Sequence, residues 1–184
     1  MISIFPVHLI ITAAGSSTRL GTGTKKEYIS VQDNDNNTVL SLSCIGFLNT
    51  FLDSRVSPFF KLASVVVTCP KDRIIDGKNA LFSNKKVEKL FEQLRVEPVF
   101  VEGGETRQLS VLKALEACKE SSKAVSLECA SSDEKSFRDS SLVLIHDGAR
   151  PWVDFQTIYN VLSVTKEKGA CVPYIPITAT IALQ

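Results

Sequence analysis

Three short stretches gather the residue types that handle phosphate. The first is Ala13-Ala14-Gly15-Ser16-Ser17-Thr18-Arg19-Leu20-Gly21, followed by Lys25-Lys26-Glu27-Tyr28. Small residues let backbone N–H groups approach an anion closely, and Arg19 and Lys26, seven residues apart, can reach over it from a loop. That is a cradle for a triphosphate. The same residues also make an ordinary glycine turn with solvated basic side chains. Two other phosphate motifs do not fit: no G-x-x-x-x-G-K-(S/T) is present, and Gly21-Thr22-Gly23 lacks the third glycine of a dinucleotide fingerprint.

The second stretch, Gly103-Gly104-Glu105-Thr106-Arg107-Gln108-Leu109-Ser110, puts a glycine pair ahead of a helix whose first turn exposes unpaired N–H donors. Such a turn suits a base or a phosphate. It equally suits a plain strand-to-helix connection, with Glu105 favouring the helix dipole and Ser110 solvated. The third, His146-Asp147-Gly148-Ala149-Arg150-Pro151, follows the apolar Leu142-Val143-Leu144-Ile145. A carboxylate at a strand's carboxyl end suits Mg²⁺, which takes one or two carboxylates and fills its octahedron with water and substrate phosphates, and this makes Asp147 the candidate metal ligand. Asp-Gly is also a common tight turn in which Arg150 simply pairs with Asp147. His146 reads as a strand-end histidine without a catalytic role.

These stretches need elements to place them. Val7 to Ala13 is a continuous apolar, β-branched run closed by Gly15, the pattern of a parallel strand buried on both faces. Similar runs recur at Ser64 to Cys69, Pro98 to Glu102, Ser141 to His146 and Ala170 to Ile175. Helical patterns lie between or after them, at Val39 to Leu52, Lys85 to Leu94, Glu105 to Lys119 and Asp154 to Lys168. The alternation implies an α/β domain with a mostly parallel sheet, in which ligands bind outside the carboxyl ends of the strands. All three stretches stand at such ends. Ser121 to Ser140, rich in serine and charge, is longer than the usual connection of about 2–6 residues and reads as a surface insertion.

The bulk numbers remove other classes. The chain's 184 residues, 44% of them hydrophobic, make one ordinary globular domain, 1–184. Lysine and arginine number 21 against 20 acidic residues, so no basic field exists for nucleic acid. No apolar run is long enough for a membrane span. Five widely spaced cysteines without C-x-x-C argue against a disulfide framework or a structural zinc site and point to a reducing cytoplasm.

Taken in this order, the three stretches resemble the 2-C-methyl-D-erythritol 4-phosphate cytidylyltransferase family of the non-mevalonate isoprenoid pathway. The family pattern A-A-G-x-G-x-R-hydrophobic-G followed by P-K-Q-Y appears as AAGSSTRLG and KKEY. G-G-x-x-R-x-x-S appears as GGETRQLS, and H-D-(A/G)-A-R-P as HDGARP. The resemblance implies a three-layer, Rossmann-like nucleotidyltransferase domain that transfers CMP from CTP to 2-C-methyl-D-erythritol 4-phosphate and releases pyrophosphate. It implies Arg19 and Lys26 at the α-phosphate and the departing pyrophosphate, and Asp147 on Mg²⁺. Ala13, Ala14, Gly15, Gly104, Glu105, Ser110 and Gly148 would hold the nucleotide, Arg107 would brace the loop, and Thr180 would touch the sugar-alcohol phosphate. The full-length family member would be a homodimer.

The chain departs from the pattern at Ser17 for glycine, Lys25 for proline and Glu27 for glutamine. It ends at Gln184, where the family is expected to continue for about a quarter more chain carrying further acceptor and metal contacts. Two other readings stay open: a ribitol-phosphate cytidylyltransferase with the same nucleotide motifs, and a CTP-binding module without catalysis. A nicotinamide-dependent oxidoreductase is disfavoured by the missing G-x-G-x-x-G.

Overall fold

The computed structural model describes residues 4–15, 25–31, 35–126 and 141–174. Strand β1 (Phe5–Thr12) pairs in parallel with β2 (Phe60–Cys69) on one edge and β4 (Leu142–Asp147) on the other, and β2 pairs in parallel with β3 (Pro98–Glu102). The order is therefore β3-β2-β1-β4. Parallel neighbours cannot be joined by tight hairpins, and the helices supply the crossovers. These are α1 (Val39–Leu52), α2 (Ile74–Leu81), α3 (Lys85–Leu94) and α4 (Arg107–Ser126), with α5 (Phe155–Lys168) after β4.

Alternation along β1 divides its side chains between two layers. Val7, Leu9 and Ile11 enter a core shared with Leu40 and Leu48 of α1, Leu81 of α2, Leu90 of α3 and Leu162 of α5. Ile10 faces the other way, onto Val66 and the Ala114 and Cys118 side chains of α4. The result is the three-layer α/β arrangement that the apolar runs imply. Each such fully buried aliphatic side chain contributes about 1.5–3 kcal/mol of transfer free energy. The helix ends are set by side chains. Thr38 and Ser41 form a capping box at α1, Asn84 accepts from Lys86 N at 2.7 Å, and Asp154 accepts from Thr157 N at 2.7 Å.

Strand order reverses between β1 and β4, because the chain runs outward from β1 to β3 and returns to β1's opposite edge. A crevice opens at the carboxyl ends of such a pair. Thr12 and Asp147 are register partners there.

The structure departs from expectation in three places. Residues 170–174 form no strand, with Val172 and Tyr174 largely exposed, because no described strand pairs beside them; Ile175 lies outside the described residues. Helix α4 runs to Ser126, six residues into the stretch read as an insertion, and Ser121 stays helical by donating to the Ala117 carbonyl at 3.0 Å. The rest of that stretch lies outside the described residues. Helix α2 is additional. Its mid-helix Gly77 weakens the pattern, yet a Cβ there would overlap the Cys69 Sγ at the end of β2, so only glycine lets the helix come that close. Among the described residues no helix is long and apolar enough to cross a membrane.

A bulge in the β1–β2 register, between Val7 and His8, sets His8 opposite Ser64, and their Nδ1 and Oγ atoms lie 2.8 Å apart. Burial holds the His8 pKa below its ordinary 6.5 by disfavouring the imidazolium. The unfolded chain thus takes up the proton first. His8 contributes stability in full above pH 6.5, and that contribution is lost as pH falls through the lowered folded value. Thermal unfolding should show a lower midpoint at about pH 5 than at about pH 7.5. His8→Gln should narrow that difference, and an unchanged pH dependence would remove His8 as its source.

Candidate functional site

The end of β1 is tied to both neighbouring strands. Ala13 N donates to the Thr68 carbonyl at 3.1 Å and lies 3.2 Å from the Thr68 hydroxyl oxygen, while Thr12 Oγ1 donates to the His146 carbonyl at 3.2 Å. Ala13 to Gly15 therefore leave the sheet from a fixed point. The loop after β3 leans against them. Gly103 N donates to the Cys69 carbonyl at 2.7 Å, and a Cβ on Gly103 would overlap both the Ala14 Cβ and the Ser110 Oγ. Two of the predicted stretches, separate in sequence, thus meet at Gly103.

Ser110, at the start of α4, is buried and secures this loop. Its Oγ accepts from Gly104 N at 3.0 Å and donates to the Thr106 carbonyl at 3.0 Å. Lys113, one turn further along, donates to the Gly103 carbonyl at 3.1 Å. Glu105 stays exposed. Arg107 reaches from the first turn of α4 to the β1 end, where its Nη1 lies 3.4 Å from Thr12 Oγ1.

Asp147 closes the third side. Its Oδ1 accepts from Ala149 N at 3.0 Å, and its Oδ2 lies 3.5 Å from Arg150 Nε. Partial burial pushes its pKa up, but the Ala149 N–H, Lys26, Arg150 and Arg107 together outweigh this and leave it below the ordinary value. The carboxylate is therefore ionised at neutral pH. Gly148 is fully used by the fold: its N–H donates to the Thr12 carbonyl at 3.0 Å and its carbonyl accepts from Ser43 Oγ at 2.9 Å. The His146 ring packs on Phe47, and its Nε2 lies 2.9 Å from the Arg150 carbonyl, so that nitrogen carries the proton. Burial lowers its pKa.

Lys26 opens a short 3₁₀ turn, Lys26–Tyr28, closed by Tyr28 N donating to the Lys25 carbonyl at 3.0 Å. Its side chain is 38% exposed, whereas the flanking Lys25 and Glu27 are buried. Lys26 and Arg107, from two other stretches of sequence, are each near enough to Asp147 for their charges to act on its carboxylate. Arg19 and Thr180 lie outside the described residues. Sequence reasoning passed over Lys113, Thr12 and Thr68. The signal was present in their positions, Lys113 one helical step beyond Ser110 and the two threonines closing the strands that carry the loops.

By its layers and its strand order, the chain is a Rossmann-like α/β domain. The family model for 2-C-methyl-D-erythritol 4-phosphate cytidylyltransferase matches residues 7–132. The chain is 30% identical over 178 residues to a bifunctional IspD/IspF enzyme of Aliarcobacter butzleri, covering 97% of this chain and 35% of that one. It is 29% identical over 174 residues to a 2-C-methyl-D-erythritol 4-phosphate cytidylyltransferase of Clostridium novyi, covering 94% of this chain and 58% of that one. The solved 4-diphosphocytidyl-2C-methyl-D-erythritol synthase of Anaerococcus prevotii matches at a TM-score of 0.47 and 19% identity, over 89% of this chain and 52% of that one. The chain belongs to the 2-C-methyl-D-erythritol 4-phosphate cytidylyltransferase family. It spans 58% and 62% of the length of two single-function relatives that it matches.

The contact at Gly103 can be tested against a neighbour. Gly103→Ala must part the two loops and should cost about 1–3 kcal/mol in urea unfolding. Gly15→Ala, where no described atom lies within 4 Å of the added carbon, should cost less than about 1 kcal/mol. Equal costs would mean that the two loops do not depend on this approach.

Proposed function

We propose that this chain is the nucleotide-binding part of an enzyme that transfers CMP from CTP to 2-C-methyl-D-erythritol 4-phosphate, in isoprenoid precursor biosynthesis. The observation that carries this reading, beside family membership, is the convergence of Lys26, Arg107 and an ionised Asp147 where β1 and β4 end. In the reaction a phosphate oxygen of the acceptor bonds to the α-phosphorus of CTP. The bond from that phosphorus to the bridging oxygen breaks, and pyrophosphate leaves with the electron pair. A phosphate monoester with a second pKa of about 6 is already ionised, so no general base is needed. A neutral His146 ring fits such a site.

What remains for the protein is to align two anions and to neutralise charge at phosphorus. Lys26, with Arg19, would face the α-phosphate and the departing pyrophosphate. Ala13, Ala14, Gly15, Gly104 and Glu105 would frame the nucleotide, Ser110 and Gly148 holding that frame from behind. Arg107 would brace the β1 end from which the first loop leaves, and Thr180 would contact the acceptor. Among the described residues no three His, Cys, Asp or Glu side chains cluster as a metal site. A single ionised carboxylate fits Mg²⁺ as a minority ligand, the rest of its shell coming from water and phosphates. Asp147 would hold it, and when bound the ion would neutralise charge on the phosphates. A reducing, cytoplasmic setting suits the Cys44, Cys69 and Cys171 thiols.

Pyrophosphate release should require CTP, Mg²⁺ and 2-C-methyl-D-erythritol 4-phosphate, with ATP, GTP, UTP and ribitol phosphate as controls. Lys26→Ala should lower turnover by about 100-fold or more without moving the melting temperature, because the side chain is partly open to solvent. Undiminished turnover would exclude the role given to Lys26. CTP binding without release would instead favour a non-catalytic module.

A further inference from the structure

The loop after β3 is built round the peptide that joins Gly103 to Gly104. Neither glycine has a positive φ, so the backbone conformation alone does not require them. Crowding does: beside the contacts described above for Gly103, a Cβ on Gly104 would overlap the Leu109 Cβ. The peptide is therefore flanked on both sides by residues without side chains, the least restrained kind of link in a chain. Its direction has to be fixed from elsewhere.

Helix α4 fixes it from one stripe, positions 107, 110 and 113, each three residues from the next. Ser110 Oγ accepts from the Gly104 N–H at 3.0 Å, and Lys113 Nζ donates to the Gly103 carbonyl at 3.1 Å. Those two groups belong to the same peptide, and because it is trans they point to opposite sides of it. The short serine takes one side. The four-carbon stem of the lysine carries its ammonium to the other, and turning the peptide over would break both bonds at once. The G-G-x-x-R-x-x-S pattern ends at Ser110, so Lys113 lies beyond the residues that it names. We propose that Lys113 is a positioning residue for the nucleotide: it fixes the direction of the Gly103–Gly104 peptide and, through it, Gly104 and Glu105, which frame the nucleotide. The proposal rests on the role given to that loop under the proposed function. Lys113 acts through the loop and is not itself a phosphate ligand.

Lys113→Met keeps an unbranched apolar stem and removes the donor, whereas Lys113→Arg keeps a donor. Lys119→Met, at an exposed position further along α4, removes the same charge as a control. Each variant is read by thermal melting, by CTP titration, by KM and kcat in pyrophosphate release, and by inhibition with added pyrophosphate. Melting should not move, because Lys113 is exposed. Lys113→Met should raise the Kd and the KM for CTP about tenfold while kcat stays within about threefold of the parent. Lys113→Arg should recover most of that loss, and Lys119→Met should show none. Pyrophosphate, which has no nucleoside, should inhibit the parent and Lys113→Met equally. Unchanged CTP affinity in Lys113→Met, or an equal loss in Lys119→Met, overturns the proposal. So does a matching loss of pyrophosphate inhibition, which would make Lys113 a direct phosphate ligand. All three results leave the functional reading intact. A parent chain that neither binds CTP nor releases pyrophosphate overturns the functional reading and takes the proposal with it.

Discussion

Strand β1 can satisfy its backbone only by taking a parallel neighbour on each edge, and the two come from distant parts of the chain: β2 opens at Phe60 and β4 at Leu142. With both edges paired and both faces covered, the strand has no freedom left at its carboxyl end. Ala13 is held to Thr68, Thr12 to His146, and Gly148 to the Thr12 carbonyl. The loops that handle ligands in such folds inherit their precision from this fixed point, since a flexible segment is placed no better than its anchor.

The main elements were legible because their patterns follow from burial. A strand covered on both faces must be apolar throughout, and Val7 to Ile11 is so apart from His8, which the bulge pairs with Ser64. The bounds of α1, α3 and β3 could be read for the same reason. What escaped depended on contacts between segments. Nothing local in Ile74 to Leu81 announces a helix, because its glycine answers to Cys69. Nothing local in residues 170–174 withholds a strand, because a strand exists only beside a partner. At the site, the loops could be found from small residues and charge. That Gly104 N and both Gly148 backbone groups are engaged inside the protein required the tertiary structure. Reading Gly103 as one of a pair also missed that it is the point of closest approach.

The charges about Asp147 are unbalanced in a useful sense. Lys26, Arg107 and Arg150 act on one carboxylate, and among these four groups cations outnumber the anion three to one. The chain as a whole is nearly neutral, so the excess is local and owes little to composition. Under the proposed function, a phosphate-bearing ligand there would meet that positive excess, and the ionised Asp147 would be the group to hold a cation beside it.

The sequence distance spanned by this arrangement bears on how the protein is made. Thr12 and His146, joined at the end of β1, stand 134 residues apart. On a ribosome β1, β2 and β3 emerge and can pair long before β4 exists, leaving one edge of β1 exposed in an apolar, β-branched strand. Such an edge invites pairing with other chains, and closure over so long a span is slow. The closure of that edge is also what brings Asp147 beside the end of β1. Nascent chains should pass through a compact, sticky species before Asp147 is in place, and chaperone demand will depend on how quickly β4 arrives.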